Sequence, residues 1–470
     1  MSWFPGSIYA QVWRCGERAP AGTLARLPEV ATTSAERQLP TARRGVWAWS
    51  VACLLAACLL VACAPAEPGP RSPAPTRSGS ATAGNAHPPA SSVAATVAPT
   101  VTPTIAATAT ATASAVRPPG LAARALATMT LEQRVGQVIM VGGAAVRVGA
   151  ETRSAITRYH VGNLMLTARS FAGVQATARV TSDVRALAGE SSTGGVPLLV
   201  ATDQEGGAVQ VLQGNGFSAM PSALEQGSWT PGTLRARARL WGAQLRAAGV
   251  DLDLAPVADT VPDASTARTN APIGRFAREF GYTTDQVGSH ALAFVQGMAE
   301  AGVATAVKHF PGLGRVRENT DVSADVRDAG TTRHDPYLEP FARAVRGGVP
   351  FVMVSTATYS RIDPDVPAAF SPVVITAMLR EDLGFDGVVI SDDLASATQV
   401  ARWAPGERAV RFIGAGGDLV LAVDPSVVPQ MYRAVLDRAR TDVSFRQRVD
   451  AAALRVLQAK VRLGLLGRSR

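Results

Sequence analysis

The sequence predicts an α/β protein: a single (β/α)8 barrel of the TIM type, behind a targeting segment and a tether. Three observations predict it. Eight short apolar runs alternate with helical stretches from residue 130 onward. Residues 119–470, the 352 left when the first 118 of 470 are set aside, fall within the length of one large barrel. No G-x-G-x-x-G follows the first run, which weakens the rival fold, an open doubly wound sheet.

The runs are Val135–Gly142, Val161–Thr167, Pro197–Thr202, Asp251–Val257, Ala304–Lys308, Phe351–Thr356, Gly387–Ser391 and Asp418–Val423. Each is mostly β-branched or Leu in character and gives way to small or polar residues, as a strand buried on both faces should. Helical stretches between them include Thr233–Ala248, Thr284–Ala301, Tyr337–Gly347 and Pro372–Leu383. Strand–helix repetition implies a parallel sheet with right-handed crossovers, and eight repeats fit closure.

The amino terminus carries an address. Residues 1–62 read as a signal segment: Arg43-Arg44, an apolar stretch from Val46 to Ala62, then Leu60-Val61-Ala62-Cys63. The first 42 residues are long for a signal and contain Pro5, Pro20, Pro28 and Pro40, so the true start of translation is expected downstream. Leu-Val-Ala-Cys resembles the bacterial lipobox, which implies cleavage before Cys63, acylation of its thiol and a stable membrane anchor. Residues 63–118 then form a tether dominated by Ala, Pro, Thr and Ser, too poor in large apolar side chains to bury a core. The expected location is the outer face of a bacterial cytoplasmic membrane, with the domain held away from it on the tether.

Composition excludes several classes. Hydrophobic residues make up 47% and charged residues 18%, enough to bury a sizeable core, so disorder of the whole chain is ruled out. The net charge of +9 comes almost entirely from arginine, since Lys308 and Lys460 are the sole lysines. No basic block carries interleaved aromatics, so no nucleic-acid partner is expected. All four cysteines (Cys15, Cys53, Cys58, Cys63) precede residue 64, leaving the barrel without a disulfide or a cysteine nucleophile. Five scattered histidines with no H-E-x-x-H disfavour a metal hydrolase, and the lack of G-x-S-x-G disfavours a serine hydrolase.

In such a barrel chemistry gathers on the loops after the carboxyl ends of the strands. Asp203-Gln204-Glu205-Gly206-Gly207 follows the third run, Asp259 the fourth, Lys308-His309-Phe310-Pro311-Gly312 the fifth, and Ser391-Asp392-Asp393-Leu394 the seventh. Far apart in sequence, these groups converge at one rim.

Those residues resemble glycoside hydrolase family 3, in its bacterial β-N-acetylglucosaminidase branch. Asp203–Gly207 and Asp253-Leu254-Ala255-Pro256-Val257 are similar to further family segments, and the likeness spans roughly 125–465. The resemblance implies retaining hydrolysis with no metal or organic cofactor, on an N-acetylglucosamine-containing glycan such as one from peptidoglycan turnover. Many relatives carry a second domain; this chain has 47 residues after Val423 and resembles the single-domain type, expected to be a monomer.

Retaining hydrolysis needs a carboxylate to attack the anomeric carbon and an acid about 5 Å away to protonate the leaving oxygen. The resemblance assigns the nucleophile to Asp392, against the bland reading in which Asp392 or Asp393 caps a helix. It assigns sugar binding to Asp203, Lys308 and His309, where the plain alternatives are a buried ion pair and a core histidine. The family's arginine aligns with Arg278, or else with Arg275. At the acid the pattern departs. Where this branch reads Asp-Ser-His, the chain reads Asn319-Thr320-Asp321. Three readings stand: Asp321 is the acid/base, Glu318 swings in from the same loop, or the acid is missing and the barrel is a slow enzyme or a surface-tethered glycan binder. A β-glucosidase is the runner-up within the enzyme class.

Overall fold

The computed structural model describes residues 120–467. The signal segment, Cys63 and the tether lie outside the described residues.

Eight parallel strands form the sheet: β1 (Ile139–Ala144), β2 (Asn163–Thr167), β3 (Leu199–Thr202), β4 (Leu252–Asp253), β5 (Ala304–Phe310), β6 (Phe351–Val354), β7 (Val388–Ser391) and β8 (Val420–Ala422). They pair in the order β7-β6-β5-β4-β3-β2-β1-β8. A parallel bridge between Ile390 and Leu419 joins β7 to the chain entering β8, which closes the ring. This is the (β/α)8 barrel that the eight runs predict, and the open-sheet alternative falls away.

Each run coincides with one strand, but the first begins too early. Val135 lies in the last turn of the helix Leu131–Gln137, which starts at a capping box between Thr130 and Gln133. An apolar run cannot by itself tell the last turn of a buried helix from the start of a buried strand. The stretch Pro372–Leu383 is helical over Val373–Asp382, wound with i to i+5 hydrogen bonds.

The interior follows the strand period of two. Met140, Leu199, Ala201, Ala304, Ala306, Phe351, Met353, Val388, Ile390 and Leu421 pack together inside the barrel. Their neighbours Ile139, Val141, Val200, Val307, Val352 and Val389 pack instead in the larger layer shared with the helices. Continuing the inward phase to the carboxyl ends gives Asp203 just after β3, Lys308 on β5 and Asp392 just after β7. Apolar strands therefore aim three charged side chains into one end of the barrel.

The opposite end is closed by the helix Val443–Arg462, whose Val456 and Ala459 join the interior cluster. Lys460 on this helix donates to Gln137 Oε1 and Gly162 O at 2.8 Å and to Pro197 O at 3.1 Å, just ahead of the first three strands. Burial pushes its pKa down to about 7. Among the described residues no helix is long and apolar enough to cross a membrane.

Candidate active site

A cleft of about 620 Å³ opens at the carboxyl ends of the strands. Asp203, Arg278, Lys308, His309, Asp321 and Asp392 all line it, so these six candidates, far apart in sequence, reach one place. Its inner end is apolar, walled by Met165, Met353 and Leu421.

One wall is an ion-paired network. Lys308 Nζ lies 2.6 Å from Asp203 Oδ1 and 2.6 Å from Glu205 Oε1. Arg278 binds the same Glu205 with both edges of a fork, Nε to Oε2 at 2.8 Å and Nη2 to Oε1 at 2.7 Å. All four side chains are buried. Burial raises Asp203 above the usual carboxylate range, although Lys308 pulls the other way. For Glu205 burial also pushes up, but Arg278 and Lys308 outweigh it and hold the pKa at about 2. Burial pulls the Lys308 ammonium down, and the Asp203 and Glu205 carboxylates more than restore it. The Asp203–Lys308 pair is thus the buried ion pair of the bland reading, yet it lines the cleft as well. Both can then meet sugar hydroxyls with fixed, charged acceptors and donors.

Glu205 carried no role in the sequence reading, although it lies two residues beyond Asp203 and so shares its phase. Its turn is set by Gly206, whose φ is +103°. A Cβ there would lie 2.2 Å from Pro221 O, so no other residue fits. Of the two arginine alignments, Arg278 is the buried one, while Arg275 is exposed. Asn270 holds the loop that delivers Arg278: its Oδ1 accepts from Ile273 N and Gly274 N, and its Nδ2 donates to Leu313 O and Val316 O.

His309 is out of the inward phase, and the β5–β6 register shifts between Val307 and Phe310. Its ring meets Asp259, with Nδ1 to Oδ2 at 2.7 Å. Asp259 Oδ1 also accepts from His309 N and Leu313 N. A carboxylate on Nδ1 fixes the tautomer and leaves Nε2 free for a ligand. The loop packs closely here: a Cβ on Gly314 would meet Thr260 O at 1.8 Å.

Asp392 follows β7, its backbone N–H donating to Val354 O and its Oδ1 accepting from Asp393 N at 2.8 Å. Asp393 has the capping geometry instead. Its carboxylate accepts from Ala395 N, Ser396 N and Val423 N, and burial raises its pKa to about 6.

Asp321 reaches the cleft because its loop is pinned to the turn after β7. Thr398 donates to Asp321 O from N at 3.2 Å and from Oγ1 at 2.9 Å, and Gln399 N donates to Thr320 O. Asn319 Oδ1 accepts from Asp321 N, fixing the turn. Among the described residues none donates a hydrogen bond to the Asp321 carboxyl. Burial first, then the charges of Asp392 and Asp393, raise its pKa to about 8. Glu318 is exposed and does not line the cleft.

Comparison with known proteins agrees. The family described as glycosyl hydrolase family 3 N terminal domain matches residues 130–459. A curated β-hexosaminidase from Xanthomonas oryzae pv. oryzae is 32% identical over 340 residues, covering 70% of this chain and 92% of that protein. The crystal structure of a β-N-acetylhexosaminidase from Beutenbergia cavernae superposes with a TM-score of 0.70 at 54% identity, covering 71% of this chain and 99% of the other. A family 3 β-N-acetylglucosaminidase from a Paenibacillus strain superposes with a TM-score of 0.65 at 30% identity, covering 73% of this chain and 64% of the other. A closed barrel with a charged cleft at its carboxyl rim, and a family match over most of the chain, lead to one conclusion: this chain belongs to glycosyl hydrolase family 3.

Proposed function

We propose that the chain is a retaining exo-β-N-acetylglucosaminidase acting on peptidoglycan-derived glycans, with Asp392 as nucleophile and Asp321 as acid/base. The observation that carries this reading is a single cleft lined by both Asp392, just after β7, and the buried carboxyl of Asp321. Asp321, raised to about 8, holds a proton at neutral pH, as a general acid must.

Asp392 attacks C1 of the terminal sugar while Asp321 gives its proton to the glycosidic oxygen. The C1–O bond breaks, the leaving alcohol departs, and a glycosyl ester forms on Asp392. Asp321, now a carboxylate, takes a proton from water as that water attacks C1 and releases Asp392. Asp203, Lys308, Arg278 and His309 hold the ring through its hydroxyl and acetamido groups. The cleft meets Met165, Met353 and Leu421 of the barrel interior, and such a closed inner end supports exo action.

The test is hydrolysis of an aryl N-acetyl-β-glucosaminide by the wild type and by Asp392→Ala. The wild type turns over and the variant falls to background; equal background rates would eliminate the activity, and the glycan-binding reading would replace it. A 2-fluoro sugar trapped on any residue other than Asp392 would overturn the nucleophile. An aryl β-glucoside hydrolysed faster than the N-acetylglucosaminide would move the substrate to glucose.

The cellular setting is part of the proposal. Acylated Cys63 and the tether to residue 118 would hold the barrel among wall glycans. A clickable fatty acid should label the wild type and not Cys63→Ala. A monomer is part of the same proposal, and light scattering measures it.

A further inference from the structure

The turn after β7 begins with Asp392 and is fixed at several points. The Asp393 carboxylate accepts from Ala395 N, Ser396 N and Val423 N. Arg408 donates to Leu394 O, Ala395 O and Trp403 O, which ties down the turn from its other side. On this platform sits Gln399, 6% exposed. Its backbone N–H donates to Thr320 O at 3.0 Å. Its side-chain amide pairs with the backbone of Val326 through both ends: Oε1 accepts from Val326 N at 2.7 Å, and Nε2 donates to Val326 O at 3.2 Å. One residue therefore grips the acid-bearing loop twice, immediately before Asp321 and again at Val326.

The chain between the two grips has little other support. Thr320 and Val326 are buried, while Val322, Ala324 and Asp325 are exposed. Thr398 adds its bonds at Asp321 O. A loop held at one point pivots there, and a second anchor fixes its direction. Val326 O accepts from Thr358 N as well, whereas among the described residues Val326 N has Gln399 alone. Nothing among the described residues donates to the Asp321 carboxyl, so its aim depends on the backbone that carries it. Only an amide can accept from one residue's N–H and donate to its C=O in this way without a charge. Gln399 itself does not line the cleft.

We propose that Gln399 is a positioning residue for proton donation: it ties the loop of Asp321 to the platform of Asp392 and so sets the place of the acid relative to the nucleophile. The inference rests on the reading of those two aspartates as acid/base and nucleophile. A proton passes only within hydrogen-bond reach, and a shift of about 1 Å can cost about 10²-fold. The loss on removing Gln399 therefore falls on leaving groups that need the proton.

The test compares chitobiose with a nitrophenyl N-acetyl-β-glucosaminide in the wild type, Gln399→Met, Asp321→Asn and the double variant. Met keeps the length of the side chain and removes both hydrogen bonds. Gln399→Met should lower kcat/KM for chitobiose by about 10–100-fold, in kcat with KM little changed, and that for the nitrophenyl glycoside by less than about threefold. In the Asp321→Asn background the same substitution should change chitobiose hydrolysis by less than about twofold, because the group it positions is gone. Should Gln399→Met fail to fold, Gln399→Glu, which keeps an acceptor for Val326 N, enters the same comparison. Equal slowing of both substrates, a loss that persists in full without Asp321, or no loss at all overturns the proposal. If Asp321→Asn slows chitobiose and the Gln399 variant does not, this inference falls alone. If the wild type hydrolyses neither substrate, the activity falls and this inference with it.

Discussion

Replacing Asp321 with Asn removes a proton donor and almost nothing else. The loop hydrogen bonds from Thr398 go to the backbone carbonyl, and that from Asp321 N goes to Asn319, so all survive. The magnitude follows from the site. A carboxyl with a pKa of about 8 is roughly nine-tenths protonated at pH 7. At the ordinary value of 3.8 fewer than one in a thousand would be. Burial and the facing carboxylates thus enrich the acid form by about 1,000-fold. Proton donation itself is typically worth 10²–10⁴-fold when the leaving group is a poor one. Asp321→Asn should accordingly lower kcat/KM for chitobiose by about 10²–10⁴-fold. It should lower that for a nitrophenyl glycoside, whose leaving group needs no proton, by less than about tenfold. The sign of the pH dependence is fixed as well. A raised pKa keeps the working acid at neutral pH and loses it above, so wild-type kcat/KM on chitobiose should fall as pH rises through about 8. That basic limb should vanish in the variant. Equal slowing of both substrates, or a basic limb unchanged by the substitution, would refute Asp321 as the acid.

The same group should cost stability. Its folded-state pKa is raised, so wild-type stability falls between about pH 4 and pH 8. Asp321→Asn should melt higher than the wild type, by a margin that grows across that interval in calorimetry. Glu205→Gln leaves Lys308 and Arg278 without their shared carboxylate, and should cost about 3–5 kcal/mol in denaturant unfolding, the range for a broken buried pair. Asp259→Asn keeps an oxygen for His309 N and Leu313 N but withdraws the carboxylate from Nδ1; kcat/KM should drop about tenfold or more with little change in melting. Asp253 sits buried with Oδ2 unpartnered and a pKa driven well above the usual range by that burial, while Oδ1 accepts from Gln204 N. Asp253→Asn preserves that bond and should fold and melt like the wild type, whereas Asp253→Leu should be markedly destabilised.

Much of this was legible before any coordinates. Strand phase alone carries Leu199–Ala201–Asp203, Ala306–Lys308 and Ile390–Asp392 to the interior, because side chains alternate along an extended chain. What phase could not supply is the partnership between loops. Glu205 is one residue of a five-residue motif, and its meaning lies in meeting Lys308 and Arg278 across more than 70 residues of sequence. Asp259 was visible as a polar residue at a strand end, but its grip on the His309 ring needed the folded loop. The placement of Asp321 over Glu318 depended on three hydrogen bonds to Thr398 and Gln399, which no local pattern announces. The misplaced start of the first strand has the same origin. Val135 is apolar in either element, and the Thr130 cap decides for the helix.

Both lysines of this chain are sequestered, Lys308 at 2% exposure within the ion-paired wall and Lys460 at 0% beneath the barrel. The native domain therefore offers amine-reactive reagents no lysine amine at its surface. A succinimidyl ester should leave both lysines unlabelled while the barrel stays closed. Acylation of Lys460 would report the lifting of the final helix from the barrel floor, and acylation of Lys308 the opening of the rim, so two single-site chemical clocks come built into an arginine-coated fold.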